Sequence, residues 1–493
     1  MKTAQFLCLL TPLMLIAFLL ATLAPPTVTT AQSAVTPLCR LGVNIFKEAP
    51  ANLALDQLRL GWYLDGWADA THTHPSGIEY VLTIQLHGDD AGGYSYQPAG
   101  AELDAAIAAH PGASWLIGNE PDRRHYQNNL LPATYAAVYH ELYTYLKTRD
   151  PAARVLAGSI VQATPLRLEY LDQVLAAYQA TYSTPLPVDG WNIHNFILNE
   201  RSCDYYQDST ICWGADIPPG SDAIDGMVLT VDDHDRLDLF IAQIERFRAW
   251  MLANGYRHTP LYLTEYGILM PEWLDPEQFA PTQVNAFMDA TFDYLLAATD
   301  PATGYPPDGN RLVQRMAWYA ATTDQLMNSN GILFVASDPA NPATYVLSEM
   351  GENYRDYAAN LTAATNLSLL SLTGVLTPTS AVPGAVVTVT LAAQVANQGN
   401  RQTGATAQVH FYAGDSAHGE LLAQRPITLT GCGDATTVAV VVTSTAPADL
   451  ADLRFTAALT TANPADINPD NGHADTHVRV ASDLLYLPTL RRP

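Results

Sequence analysis

The feature that most limits how this chain can fold is a change of rhythm near Asn360. Before it, from Arg40 to about Tyr357, short apolar runs alternate with helical or polar stretches. The runs are Leu41–Phe46, Leu58–Leu64, Tyr80–Leu86, Ser114–Gly118, Val155–Val161, Gly190–Phe196, Leu261–Tyr266 and Val313–Tyr319. They are continuous rather than strictly alternating, as expected of parallel strands covered on both faces. Between them, Pro132–Lys147 places Tyr135, Val138, Tyr139, Leu142, Tyr143 and Leu146 at helical spacing. Asp235–Leu252 does the same with Leu239, Ile241, Ile244, Phe247 and Met251. Eight strand–helix alternations predict an α/β architecture, a (β/α)8 TIM barrel with long loops at one end. A doubly wound sheet fits less well, because it uses fewer strands and the region holds no Gly-rich phosphate loop.

After about Asn360 the runs become rich in Val, Thr and Ala, and many alternate, as in Val387–Leu391. They are Leu367–Leu372, Ala385–Ala396, Ala405–Tyr412, Leu421–Leu429, Thr436–Thr445, Leu453–Thr460 and Ala474–Val480. Gly, Pro, Asn and Asp separate them, so an all-β sandwich is expected. The stretch Asp466–Asn471 with the run that follows resembles the last hairpin of CARDB-like immunoglobulin-fold domains. Asp466, Asn468, Asp470 and Asn471 have the chemistry of calcium ligands, but a turn closed by side-chain-to-backbone hydrogen bonds is the expectation.

The ends of the chain point to export. Lys2 precedes an apolar run from Phe6 to Leu23, and the small residues Ala31, Ser33 and Ala34 follow, the layout of a secretory signal. The expected organisation is a signal peptide and linker at 1–34, a barrel at 35–360, a sandwich at 361–482 and a tail at 483–493. Cysteine use agrees with a secreted or extracellular protein. Cys203 and Cys212 enclose a short loop and are the expected disulfide, while pairing of Cys39 with Cys432 is left open.

Charge narrows the partners. The chain carries 49 acidic and 24 basic side chains, a formal charge of −25, yet only 15% of its residues are charged. This argues against nucleic acid, which needs a basic footprint, and against anionic membranes. A weakly charged, Tyr-rich surface suits a neutral polar ligand instead.

Catalytic groups of a parallel barrel project from the C-terminal ends of its strands. The fourth run ends in Gly118-Asn119-Glu120-Pro121-Asp122, and the seventh in Thr264-Glu265-Tyr266-Gly267. A carboxyl leaving a buried strand has a raised pKa and can donate a proton, and a second one across the mouth can attack or activate water. This pattern resembles clan A glycoside hydrolases, within them the catalytic core family that includes the glycoside hydrolase family 128 endo-β-1,3-glucanases. The pieces carrying the resemblance are Gly61–Trp67, Glu79–Gln85, Ile117–Asp122, Val155–Ser159, Trp191–His194, Tyr262–Gly267 and Trp318-Tyr319. It covers the barrel and not the sandwich. It implies Glu120 as acid/base, Glu265 as nucleophile, Asn119 on the sugar 2-hydroxyl and His194 beside the nucleophile or on substrate. Trp318 would form an aromatic floor.

Trp62, Trp67 and Tyr266 are further candidates for sugar contact, since a flat ring offers an apolar face to sugar C–H groups. The resulting expectation is a secreted retaining glycosidase acting on a polysaccharide or oligosaccharide. No metal or organic cofactor is implied. The competing reading is a non-catalytic carbohydrate-binding or adhesive protein, with the sandwich as candidate for association with a cell surface.

Overall fold

The computed structural model describes residues 36–482, apart from 46–47, 72–73, 90, 126, 203–213, 323–329, 339–343 and 450–451. The expected signal, the tail and the Cys203–Cys212 pair lie outside the described residues.

In the first part of the chain the strands are β1 (Leu38–Ile45), β2 (Leu60–Asp65), β3 (Glu79–Gly88), β4 (Tyr94–Gln97) and β5 (Ser114–Ile117). They continue with β6 (Arg154–Ile160), β7 (Gly190–His194), β8 (Leu261–Tyr266) and β9 (Arg315–Tyr319). Eight of them pair in parallel and close a ring in the order β1, β2, β3, β5, β6, β7, β8, β9, with β9 back on β1. Strand β4 folds back antiparallel on β3. The expected barrel is therefore present, with β5 as its fourth strand and β8 as its seventh.

Strand alternation decides what fills it. Trp62, Leu64, Val81, Leu116, Leu156, Tyr262 and Ala317 come from six strands and pack into one cluster inside the ring. Their chain neighbours Tyr63, Leu82, Trp115, Val155, Leu263, Met316 and Trp318 join the outer core beneath the helices. Gly42 is small for a reason: a Cβ there would meet the Trp62 ring at 2.4 Å.

The helices are α1 (Ala101–Ala109), α2 (Pro132–Arg149), α3 (Pro165–Tyr182), α4 (Leu237–Ala253), α5 (Pro281–Ala297) and α6 (Glu349–Ala359). Proline opens α2, α3 and α5, where its missing N–H costs nothing and its fixed φ favours the first turn. In α2 the apolar stripe is buried at Tyr135, Val138, Tyr139, Leu142 and Leu146. In α4 the buried residues include Phe240, Ile244, Phe247 and Met251. A short hairpin, β10 (Phe334–Ala336) with β11 (Tyr345–Leu347), precedes α6.

The second part is all β. Its strands are β12 (Leu367–Thr377), β13 (Ser380–Ala381), β14 (Val386–Asn397), β15 (Ala405–Ala413), β16 (Glu420–Leu429), β17 (Asp434–Thr445), β18 (Leu453–Asn463), β19 (His473–Val478) and β20 (Ala481–Ser482). Strands β12, β14 and β17 form one antiparallel sheet, and β16, β15, β18 and β19 another. Val387, Val389, Leu391, Ala393 and Val395 are buried in alternation. They share a core with Val409, Phe411 and Phe455, separate from that of the barrel. Asp466 Oδ1 accepts the Asn468 N–H at 3.0 Å, the turn chemistry expected there.

The sandwich meets the barrel where the strands begin. Cys39 in β1 is disulfide-bonded to Cys432, which answers the pairing left open by the sequence. Arg40 donates two hydrogen bonds of 2.7 Å to the buried Asp308 and a third, 3.2 Å, to the carbonyl of Gln398. Arg315 pairs with Glu79 at 2.7 Å, and the Gln402 amide donates to the same Glu79 oxygen at 3.1 Å. The C-terminal strand ends, where Glu120 and Glu265 lie, are thus opposite the sandwich.

Candidate active site

Three side chains converge at the mouth of the barrel. Strand β5 stops at Ile117, and the chain then turns through Gly118 (φ 87°) and Glu120 (φ 47°). A glutamate in the left-handed region is unusual, and it persists because its surroundings hold it. The Glu120 N–H donates to the Ser159 carbonyl at 2.9 Å, and Asn128 Oδ1 accepts from the Asn119 N–H at 2.5 Å.

Glu265 reaches the mouth by a different route. Tyr262 points into the barrel, so strict alternation would turn Glu265 outward. The pairing of β8 slips against β7 between Ile193 and His194, and against β9 between Leu263 and Tyr266. Beyond the slip, Glu265 Oε1 accepts a 2.8 Å hydrogen bond from the Asn44 amide of β1. His194, the last residue of β7, stands between the two acids. Its Nδ1 is 3.0 Å from Glu120 Oε1 and 3.5 Å from Glu265 Oε2. Ligating atoms of Glu120, His194 and Glu265 all lie within 4.8 Å of one another.

The electrostatics of the two acids differ. Burial pushes the Glu120 carboxyl up, but Arg123 at 3.1 Å and His194 outweigh it and hold it down at about 2. Burial also pushes up Glu265, and the negative charge of Glu120 adds to it. His194, Asn44 and Arg123 oppose this only in part, and Glu265 stands at about 7. Burial disfavours a charged His194, yet the flanking acids win and raise it. The sequence reading expected the raised carboxyl at Glu120; in the free cleft it is Glu265. The cause is Arg123 together with His194.

Several supporting residues carried no local sequence signal. Fully buried Arg167 of α3 pairs with Asp122 at 2.8 Å and with Glu200 at 2.9 Å, and donates to the carbonyls of Ala215 and Asp216. It thereby ties the Glu120 turn to the segment after β7. Removing one partner of such a buried set leaves an uncompensated charge, at a cost of about 3–5 kcal/mol. Tyr319 of β9 faces both acids, whose charges together with burial raise its hydroxyl pKa. Phe196 packs edge-on against both His194 and Tyr319. Asn44, which holds Glu265, was also missed, although a polar residue inside an apolar run is a signal that could have found it.

The remaining expected residues divide. Asn119 is partly exposed, and its amide donates to Gln127 at 2.9 Å. Trp67 stands out at 53% exposure. Trp62, Tyr266 and Trp318 need correction as sugar-contacting rings, since each is 0% exposed. Trp62 fills the barrel interior. Tyr266 and Trp318 point outward into the core beneath the helices, where Trp318 Nε1 donates to Gly331 O at 2.6 Å. Alternation along β9 turns Trp318 away and Tyr319 in, so the aromatic at the site is one residue later than expected.

The arrangement has the parts for acid–base and nucleophilic work on one bond. Among the described residues, the same three side chains are the group spaced to hold a metal ion. A cation there would sit against the Arg123 guanidinium, 3.1 Å from Glu120, so the site fits proton and glycosyl transfer better.

No protein-family model and no curated protein matches the chain. Among solved structures, it is similar to an endo-β-1,3-glucanase of glycoside hydrolase family 128 from Amycolatopsis mediterranei, in complex with laminaritriose. The identity is 18%, the match covers 65% of this chain and 99% of that one, and the TM-score is 0.39. A family 39 glycoside hydrolase from Xanthomonas axonopodis pv. citri is 13% identical over 84% of this chain and 93% of its own, with a TM-score of 0.37. The CARDB domain of a Pyrococcus furiosus protein is 15% identical over 25% of this chain and 100% of its own, with a TM-score of 0.18.

Proposed function

We propose that the chain is an exported, retaining glycoside hydrolase acting on a neutral polysaccharide or oligosaccharide, with β-1,3-glucan as the first substrate to test. One observation carries this reading: one carboxyl oxygen of Glu120 and one of Glu265 lie within 4.8 Å of each other at the barrel mouth. Retention needs carboxyls about 5–5.5 Å apart, whereas inversion needs about 6.5–9.5 Å to admit a water.

In the first step Glu120 gives its proton to the glycosidic oxygen while Glu265 attacks the anomeric carbon. The C–O bond to the leaving group breaks and a glycosyl ester forms on Glu265. In the second step Glu120 takes a proton from water, which attacks the same carbon and frees Glu265. Asn44 holds Glu265 in line through its 2.8 Å hydrogen bond, and Phe196 and Tyr319 shield one side of the cluster from water.

The test is Glu265→Ala assayed on an activated aryl glycoside. Turnover should disappear, and azide should restore part of it. Full activity in that variant overturns the reading. The anomeric configuration of the first product separates retention from inversion, and product length separates a hydrolase from a transglycosylase.

A further inference from the structure

We propose that Arg123 is a positioning residue that pins Glu120 before substrate binds, and that an entering saccharide must break this contact before Glu120 can act as the acid. The proposal rests on the assignment of Glu120 and Glu265 above. In the free cleft both oxygens of Glu120 are taken by basic groups: Arg123 Nη1 on Oε2 at 3.1 Å and His194 Nδ1 on Oε1 at 3.0 Å. A carboxyl held this way is kept charged, the wrong state for protonating a leaving oxygen.

The two contacts are not equivalent. His194 is 1% exposed and packed against Phe196, so it stays in place. The Arg123 side chain is 20% exposed, and its other nitrogen donates at 2.9 Å to the carbonyl of Gly214, in the segment between β7 and α4. Arg123 therefore links the acid to one wall of the cleft and is within reach of an arriving hydroxyl. The other charged or titratable groups facing Glu120 are Asp122 on its own turn, Glu265 from β8 and Tyr319 from β9. Arg123 and His194 supply the positive charge. Once a sugar hydroxyl draws Arg123 away, the proton on His194 Nδ1 can pass to Glu120, and the proton held by Glu265 then takes its place on Nδ1. That transfer leaves Glu265 charged for attack.

The experiment compares Arg123→Gln and Arg123→Lys with the unaltered enzyme. It uses a glycoside with a poor leaving group, whose cleavage needs the acid, and an activated aryl glycoside, which does not. The kcat/KM profile reports the free enzyme and the kcat profile the bound complex. In Arg123→Gln the alkaline limb of kcat/KM should move up by about one to three pH units for the poor leaving group. The kcat limb should stay put, and Arg123→Lys should bring the kcat/KM limb back. Equal movement of both limbs would mean that the contact persists in the complex and would overturn the proposal. So would unmoved limbs with a lowered melting temperature, the mark of a packing role alone. Glu120→Ala separates this from failure of the underlying assignment: undiminished cleavage of the poor-leaving-group glycoside by that variant removes the acid itself.

Discussion

The two ends of the barrel hold buried charge in opposite ways. At the strand starts buried charges meet opposite charges, apart from Arg248, which donates to carbonyls and to Gln314. Arg40 is doubly bonded to Asp308, Arg315 meets Glu79, and the Cys39–Cys432 bond fastens the sandwich across the opening. At the strand ends, Glu120, Glu265, His194 and Arg123 crowd together, Arg123 and His194 both hold Glu120, and Glu265 is left at about 7. The first arrangement contributes stability. The second is a reservoir of unrelieved electrostatic energy, which is how a fold keeps reactive groups poised. Parallel barrels in general divide this way, with stability at the bottom and chemistry at the top.

Mutations at each end should therefore separate activity from stability. The largest effect is expected at the top: Glu265→Ala should lower turnover by ~10³-fold or more with no loss of melting temperature, read by steady-state kinetics and calorimetry. Loss of fold in that variant would erase the contrast. At the bottom, Asp308→Ala strands the buried Arg40 and should cost about 3–5 kcal/mol in denaturant unfolding, while kcat of the folded fraction is unchanged. Cys432→Ser opens a link that spans 393 residues and should cost about 2–5 kcal/mol, again without altering kcat.

The smallest effect has a size that depends on pH. Glu265 is raised in the folded state, so its favourable contribution is present below its unfolded pKa of about 4.3 and is lost as pH rises through about 7. Glu265→Gln should then stabilise the protein by about 1–3 kcal/mol at pH 8 and by much less at pH 4, seen as a pH-dependent rise in melting temperature. Glu120 is lowered, so its contribution is present above about 4.3 and is lost as pH falls through about 2. Glu120→Gln should accordingly destabilise at pH 7, the opposite of Glu265→Gln. Equal signs for the two variants would contradict the unequal roles of Arg123 and His194.

The barrel was legible because its strands are long apolar runs, and the seven main sandwich strands because Val387–Leu391 and its companions alternate with polar residues. Burial of apolar surface rewards those patterns whatever the details of packing. Glu120 and Glu265 stood out for a related reason: a charged residue at the end of a buried strand is expensive unless it has work to do. The direction of individual rings was not legible. A strand has period two, so one residue of uncertainty in phase exchanges inside for outside. Trp318 and Tyr319 were exchanged in this way, and the slips beside β8 bring Glu265 inward against the alternation set by Tyr262.

By itself the amino-acid order determined the element types, their sequence along the chain and the two acids at the correct strand ends. Those follow from local periodicity and from the cost of burying charge. Only the tertiary structure decided that His194 bridges the acids, that Arg123 and His194 outweigh burial at Glu120, and that Cys39 joins Cys432 at the end of the barrel away from the site. Each of these joins groups far apart in sequence or turns on side-chain direction in a loop. Such contacts exist because the closed ring brings strand ends together, and no local pattern in the chain encodes them.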